Sequence, residues 1–379
     1  MLLFGPTEKA EFISRPNRFV VVCRCKGEEI RAYLPNPGRL TELLLPGVTL
    51  YIEKSQNPAR KLPYTAVAVE RGESPIILHT HRANDIAEYL IIKRLVPGLE
   101  KYEILKREVT VGGSRFDFLL GEKGRGRRKK LLEVKSCTLF SSYAAMFPDA
   151  VTVRGRRHVD ELSALSGDKT TGHVLFIVNN PEVDFFIPDY HTDLEFARTL
   201  LAARNKIPIT PLAIRVNKNL ELNDRVRVIK IPWEIVEREA RDSGAYLVVL
   251  RMDKEMTIPV GASGEQKFKK GFYVYAGSAK KNLSKRIQRH RKRGKKKKFW
   301  HIDYLRECSQ FLYVLPVRTA DDIECPLSKG LKEISNFTVP GFGSSDCACP
   351  SHLFGFDVDP LNLKEFHDLL NWFRVDRFF

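Results

Sequence analysis

The 379-residue chain carries 63 Lys and Arg against 46 Asp and Glu, a formal net charge of +17, with 43% hydrophobic residues. That apolar content builds cores rather than a disordered chain, the length asks for two or three compact units, and the positive excess points to a polyanionic partner whose phosphates release counterions on binding. No apolar run approaches the roughly 18 residues of a membrane span, and the opening MLLFGPTEKAEF is charged too early for a signal peptide. A membrane partner is excluded on these grounds and a cytoplasmic chain is expected. The seven cysteines, an odd number, read as reduced thiols.

In chain order, RFVVVCRC (18–25), EIRAYL (29–34), VTLYIEK (48–54), YTAVAVE (64–70) and PIILHT (75–80) are rich in β-branched and aromatic residues. Turns at NPG (36–38) and PG (46–47) separate them. Five short strands in so few residues predict a small β-barrel of the OB-like kind over residues 1–82. The period then changes. NDIAEYLIIKRLV (84–96) spaces Ile86, Leu90, Ile91 and Leu95 as one helix face, with Asn84 as the expected N-cap. Strands RFDFLL (115–120) and KLLEVKSC (130–137), joined through GEKGRGRRKK, are followed by a helix near 154–165, a strand at 173–179 and a helix at 194–205. That alternation predicts an α/β domain over 83–232. IPWEIVEREARDSG (231–244) reads as a boundary, and a last domain is expected over 243–379.

Strand alternation puts Glu133 and Lys135 on one face of KLLEVKSC and Leu132 and Val134 on the other. The hairpin can bring Asp117 beside them. Two carboxylates and an ammonium on one face suit phosphodiester hydrolysis: Asp117 and Glu133 hold Mg²⁺ or Mn²⁺, and Lys135 orients the attacking water and offsets transition-state charge. An ordinary exposed strand face with a Glu–Lys pair is the bland alternative. The Asp…Glu-x-Lys pattern resembles the PD-(D/E)xK nuclease superfamily. PNPGRL (35–40), RKLPY (60–64), SRFDFLL (114–120), EVKSCTL (133–139), FPDAVTVRGRRHVDEL (147–162) and FIPDYHTD (186–193) together resemble the sugar fermentation stimulation protein family over residues 1–232. The resemblance implies an OB-like barrel joined to a PD-(D/E)xK nuclease-like α/β domain, in proteins commonly described as DNA-binding regulators. Glu88 is a further candidate ligand or simply an exposed helix residue. Arg154, Arg156, Arg157 and His158 offer phosphate contacts at a helix start, or a solvated turn.

GAY (244–246) followed by FYVYAGSA (272–279) and the helix NLSKRIQRHRKR (282–293) resembles the GIY-YIG nuclease superfamily, here with DKEMTIPVGASGEQKFKKG inserted between the two elements. A subgroup of such proteins shares WHIDYL (300–305) and GFGSSDCACPSHLF (341–354) with this chain. The resemblance implies an α+β domain in which Tyr246 and Tyr275 position water, Arg286 stabilises the phosphorane and Glu324 binds a divalent metal. Strand packing is the plain alternative for the tyrosines. The run KKNLSKRIQRHRKRGKKKK (280–298) ends in Lys295, Lys296, Lys297 and Lys298, expected to track a phosphate backbone. Cys325, Cys347, Cys349 and His352 are a candidate zinc set, although Cys-x-Cys is tighter than common zinc spacings. The chain is thus expected to be an α/β and α+β multidomain protein that binds nucleic acid, DNA before RNA. It is expected to be a metal-dependent nuclease, with a non-catalytic regulator or an RNA-processing nuclease as rivals.

Overall fold

The first seventy-odd residues, with their β-branched and aromatic runs, fold as β1 (Thr7–Asn17), β2 (Val20–Cys25), β3 (Glu28–Tyr33), β4 (Thr49–Lys54), β5 (Tyr64–Val69) and β6 (Ile76–Ile77). The computed structural model describes residues 1–124, 128–261, 264–292 and 298–379. The strands run in the order β3-β2-β1-β4-β5-β6, and a parallel β3–β5 pairing closes five of them into a barrel. Strand β1 lies in the middle of that order and was not legible in the sequence. Only Ala10 and Phe12 of its eleven residues are buried, and Pro16 sits where a bulge breaks its pairing with β2.

Helix α1 (Arg82–Ile92) buries Ala83, Ile86, Ala87, Leu90 and Ile91. His81 rather than Asn84 occupies its N-cap, and Lys93 ends it before the expected last turn. There follow β7 (Tyr102–Val111), β8 (Ser114–Glu122), β9 (Lys129–Cys137), β10 (Leu139–Phe140), β11 (Ala144–Phe147), α2 (Val153–Leu165), β12 (Thr170–Val178), β13 (Phe185–Pro188), α3 (Leu194–Ala203), β14 (Ile209–Val216), β15 (Leu222–Val228) and α4 (Trp233–Glu239). The main sheet is ordered β15-β14-β12-β9-β8-β7. Its centre, β9, β12 and β14, is parallel, as the intervening helices demand, while β7, β8 and β15 pair antiparallel at the flanks. Leu132, Val134, Leu175 and Ile177 pack with α1. Leu131, Phe176 and Val178 share the opposite core with Val159 and Leu162 of α2 and Phe196 and Leu200 of α3.

The chain divides into two compact units, Met1–Val236 and Glu237–Phe379, so the division falls within α4. The second unit contains β16 (Gly244–Met252), β17 (Met256–Pro259), β18 (Glu265–Phe268), β19 (Gly271–Ala279), α5 (Leu283–Arg291), α6 (His301–Cys308), β20 (Gln310–Arg318), α7 (Glu324–Ile334), β21 (Phe337–Thr338), β22 (Leu353–Phe356) and α8 (Lys364–Arg374). Its antiparallel sheet is ordered β20-β16-β19-β22-β21. The run AYLVVL in β16 is buried on both faces. Tyr246, Val248 and Leu250 pack with Leu283 and Ile287 of α5 and Ile302 and Leu305 of α6. Ala245, Leu247 and Val249 pack with Leu327 and Leu331 of α7 and Phe366 and Leu370 of α8. The inserted segment forms the β17–β18 hairpin, which adds Ile258 and Phe268 to the first of these cores. No helix among the described residues is long and apolar enough to cross a membrane.

Glu239, at the end of α4, is 0% exposed. It takes Arg238 Nε at 2.5 Å and the Ala320 amide at 3.1 Å, with Arg377 3.7 Å away. The Arg238 side chain is 54% exposed and Arg377 keeps Asp321, so the main loss in Glu239→Ala is the buried acceptor of the Ala320 amide, and the substitution should destabilise the second unit by about 1–3 kcal/mol. In urea denaturation of the full chain the transition of that unit should move and that of the first should stay; equal shifts in both would refute this accounting.

Candidate functional site

Strands β8 and β9 pair from Gly121↔Lys129 as far as Phe118↔Leu132. One residue beyond, the Asp117 carboxylate takes up the free backbone donor: Oδ2 accepts the Val134 amide at 2.7 Å, and Oδ1 accepts Asn84 Nδ2 at 2.8 Å. Asn84 therefore serves the carboxylate from inside α1 rather than capping that helix. Glu133 is 3% exposed. Its Oε1 accepts from the Lys135 ammonium and, at 2.5 Å, from His158 Nδ1 of α2. Its Oε2 is buried and, among the described residues, has no hydrogen-bond partner.

Burial, then the charge of Glu133, pushes the Asp117 carboxyl above the ordinary aspartate range. Burial also opposes ionisation of Glu133, but the bonds from His158 and Lys135 outweigh it and hold that carboxyl below the usual value. Asp117, Glu133 and Lys135 meet in one cleft of about 550 Å³, walled also by Asn36, Gly38, Asp149, Thr152 and Arg154. The turn at 36–40 supplies part of that wall. Leu40 N donates to Asp149 Oδ2 at 2.7 Å, and a Cβ on Gly38 would lie 2.7 Å from the same oxygen. Only glycine lets the turn approach so closely.

The other residues expected here separate. Arg154, exposed in the first turn of α2, lines the cleft; Arg156 is half-buried, and Arg157 pairs weakly with Glu161 at 3.9 Å. His158 is 1% exposed and committed to Glu133, so its place is behind the carboxylate and not against phosphate. Glu88 is bound by Arg107 at 2.8 Å, outside the cleft. Lys298 pairs with Glu307 at 2.8 Å and lies over the Tyr304 ring. Lys295, Lys296 and Lys297 lie outside the described residues. Sequence reasoning missed the roles of Asn84 and Asp149. Asn84 resembles a cap because helix starts favour asparagine, and Asp149 lies in FPDAV, where no local pattern assigns it a role.

In the second unit Tyr246 and Gly277 face one another across β16 and β19. The Tyr246 hydroxyl lies 2.9 Å from His290 Nε2, and the rings of Tyr246 and Tyr275 are 6.5 Å apart. Burial raises both phenols, the Arg286 charge opposing it. Arg286 and Arg289 both stack on Trp300, at 4.1 and 4.3 Å. Arg289 is further fixed by a fork to Asp303, at 2.9 and 2.8 Å, leaving Arg286 as the arginine whose charge reaches the tyrosines. Glu324 accepts the Ser278 hydroxyl and meets His352 Nδ1 at 3.0 Å. Burial works against its ionisation, yet these bonds and the Arg286 charge keep the carboxyl low. Cys325, Cys347, Cys349 and His352 lie beside it with their ligand atoms within 4.8 Å of one another.

Comparison with known proteins covers both units. The family model of the sugar fermentation stimulation protein RE domain matches residues 81–219, and that of the SfsA N-terminal OB domain matches residues 13–78. Residues 245–374 match the domain of unknown function DUF123. The sugar fermentation stimulation protein homolog of Methanothermobacter thermautotrophicus is 37% identical over 237 residues, 62% of this chain and 96% of that protein. The homolog from Shouchella clausii is 37% identical over 230 residues, 59% of this chain and 98% of its own. Among solved structures, Pyrococcus furiosus SfsA in complex with Ca²⁺ matches with a TM-score of 0.55 and 32% identity, over 61% of this chain and 99% of that one.

Gly277 permits the tyrosine pair to close. A Cβ there would lie 2.7 Å from Tyr246 Cζ and 2.9 Å from Tyr275 Cε1. Gly277→Ala should therefore cost about 1–3 kcal/mol through overpacking and alter the near-ultraviolet dichroism of the tyrosines. A melting curve and spectrum like those of the parent would show that the rings yield freely.

Proposed function

The chain belongs to the sugar fermentation stimulation protein family, and from that premise we propose that its first unit hydrolyses phosphodiester bonds in nucleic acid, DNA before RNA, with a divalent cation at Asp117 and Glu133. The observation that carries this reading is the orphaned Glu133 Oε2, buried beside a second carboxylate. Lys135 and His158 both bind Oε1, so Oε2, without a partner among the described residues, is left as a donor beside Asp117, and two hard oxygen donors fit Mg²⁺ or Mn²⁺. The Pyrococcus relative was solved with Ca²⁺, an ion of the same hard class.

When bound, such a cation supplies Lewis-acid polarisation of a phosphoryl oxygen. The protein's own groups do the rest. His158 and Lys135 keep Glu133 ionised in its buried position. Asn84 and the Val134 amide fix the orientation of Asp117. Lys135, 17% exposed at its side chain, presents an ammonium that can order a water and offset charge on the phosphorane. Arg154 at the mouth suits the flanking phosphate. Two facing carboxylates would repel DNA without a cation between them, which makes a purely DNA-binding role the poorer account of this cleft. In the second unit Tyr246, Tyr275, Arg286 and Glu324 are proposed as another phosphodiesterase centre of GIY-YIG type. Their shared electrostatic environment supports this.

The test is cleavage of single- and double-stranded DNA and RNA with Mg²⁺ or Mn²⁺. Asp117→Ala and Glu133→Gln should each lower the rate of the first centre by about a hundredfold or more while nucleic-acid binding stays equal or tightens, since each removes negative charge. Lys135→Ala should lose turnover with little loss of binding. Undiminished cleavage in all three would remove the assignment, and binding without any cleavage by the parent chain would leave a regulator.

Cation binding carries its own pH signature. Both carboxylates must be ionised to ligate, and Asp117 titrates above the ordinary aspartate range. Mn²⁺ affinity measured by calorimetry should accordingly fall on acidification from a higher pH than an exposed aspartate would set. In Glu133→Gln the like charge is gone, so the residual affinity should persist to lower pH. A profile that ignores this substitution would separate the two carboxylates.

A further inference from the structure

The segment between β21 and β22, residues 339–352, forms no strand or helix. Its closure rests on few backbone bonds, Gly341 N to Pro350 O at 2.8 Å and His352 N to Phe342 O at 2.8 Å among them. Val339 and Phe342 are its buried apolar side chains. That is little burial against the conformational entropy of ordering such a loop. Yet this loop carries Cys347, Cys349 and His352 to Cys325, the second residue of α7, until all four ligand atoms lie within 4.8 Å of one another.

Packing does not account for the convergence. Thiols used as small hydrophobes are buried, as Cys23 and Cys137 are here, whereas Cys325, Cys347 and Cys349 are all half-exposed and all free. The imidazole is the buried member, 2% exposed, and its two nitrogens face different partners. Nδ1 meets Glu324 Oε1 at 3.0 Å and Nε2 meets Cys347 Sγ at 3.4 Å. A proton held on Nδ1 by the carboxylate leaves the Nε2 lone pair aimed among the sulfurs, which is how a ligating histidine is oriented. The Ser278 hydroxyl holds the other oxygen of Glu324 in turn.

We propose that Cys325, Cys347, Cys349 and His352 form a closed structural zinc site, with Glu324 as the positioning residue that holds His352 in its ligating tautomer. Three thiolates and an imidazole are a soft, four-donor set that selects zinc over magnesium or calcium. The site is chemically distinct from the carboxylate pair of the first unit and does not rest on the nuclease reading. The three thiolates exceed the charge of Zn²⁺ by one. The N-terminal end of α7, where Cys325 sits, offers a compensating partial positive charge. The ion ties helix α7 to the loop entering β22, doing what apolar burial there does not. It also makes Glu324 common to the thiol cluster and to the tyrosine–arginine cluster.

The full chain, purified under reducing conditions from zinc-replete medium, should carry about one zinc per molecule by elemental analysis. Exchange for Co²⁺ should produce thiolate-to-cobalt charge transfer and the strong visible bands of four-coordinate cobalt. Cys325→Ser and Cys349→Ser should lose the ion, while Cys308→Ser, at an exposed cysteine outside the cluster, should keep it. Glu324→Ala should surrender zinc to a chelator about 10–100-fold more readily, and Glu324→Gln, which retains an acceptor oxygen, should recover most of the difference. A parent chain with far less than one zinc and no cobalt bands overturns the site, and that readout requires no variant to fold. Loss of zinc from Cys308→Ser as complete as from Cys349→Ser overturns it as well. Equal retention by the parent and Glu324→Ala overturns the positioning role.

Discussion

The bond from the Val134 amide to the Asp117 carboxylate is the contact on which the first site is built. A backbone N–H deep in a sheet must find an acceptor. Where β8 and β9 stop pairing, that acceptor is a side chain, and the substitution brings one carboxylate beside another. Glu133 can remain ionised there because α2 delivers His158 and its own strand delivers Lys135. Asp117 has weaker support, and burial with the neighbouring charge raises its carboxyl. The two acids are thereby driven apart in acidity, a difference that recurs where one group must stay charged and another titrates.

The barrel segment contributes to this site through the turn at 36–40 and through Arg18 and Thr80. Gly38 packs against Asp149, Arg39 Nε and Leu40 N donate to it, and Asn36 holds the turn through the Gly38 amide and Thr138. The cleft wall is therefore made from two parts of the first unit that are more than a hundred residues apart in sequence. The second unit solves a different packing problem. Its central strand is buried on both faces, so two tyrosines entering the α5–α6 core must share space, and Gly277 provides it. Hydroxyls in such a core need partners; Tyr246 has His290.

Charge is distributed by pairing as much as by clustering. Several of the basic residues that look alike in the sequence are engaged: Arg289 with Asp303, Arg107 with Glu88, Lys298 with Glu307. A formal charge of +17 thus says that a polyanion is attracted, while the pairings decide which cations are left to meet it. Lys135 and Arg154 in the cleft and Arg286 beside the tyrosines are cations whose positions join a candidate site.

Local pattern alone determined the barrel strands with strong β-branched runs, the alternation of helix and strand around β9 and β12, and the division of the faces that sets Glu133 and Lys135 apart from Leu132 and Val134. These are consequences of residue periodicity, which a sequence displays directly. Strand β1 escaped because its burial is confined to Ala10 and Phe12 and its neighbours are charged; the barrel needs it for closure, a demand that no local window contains. The roles of Asn84 and His158 escaped for a related reason. Each is set by a partner 25 or more positions away, Asp117 in one case and Glu133 in the other. The meeting of Cys325 with Cys347, Cys349 and His352 was suggested by residue type but decided by tertiary structure, because only the sheet brings the start of α7 to the loop before β22. Pattern names the groups, and long-range packing decides which atoms of them are left without a partner.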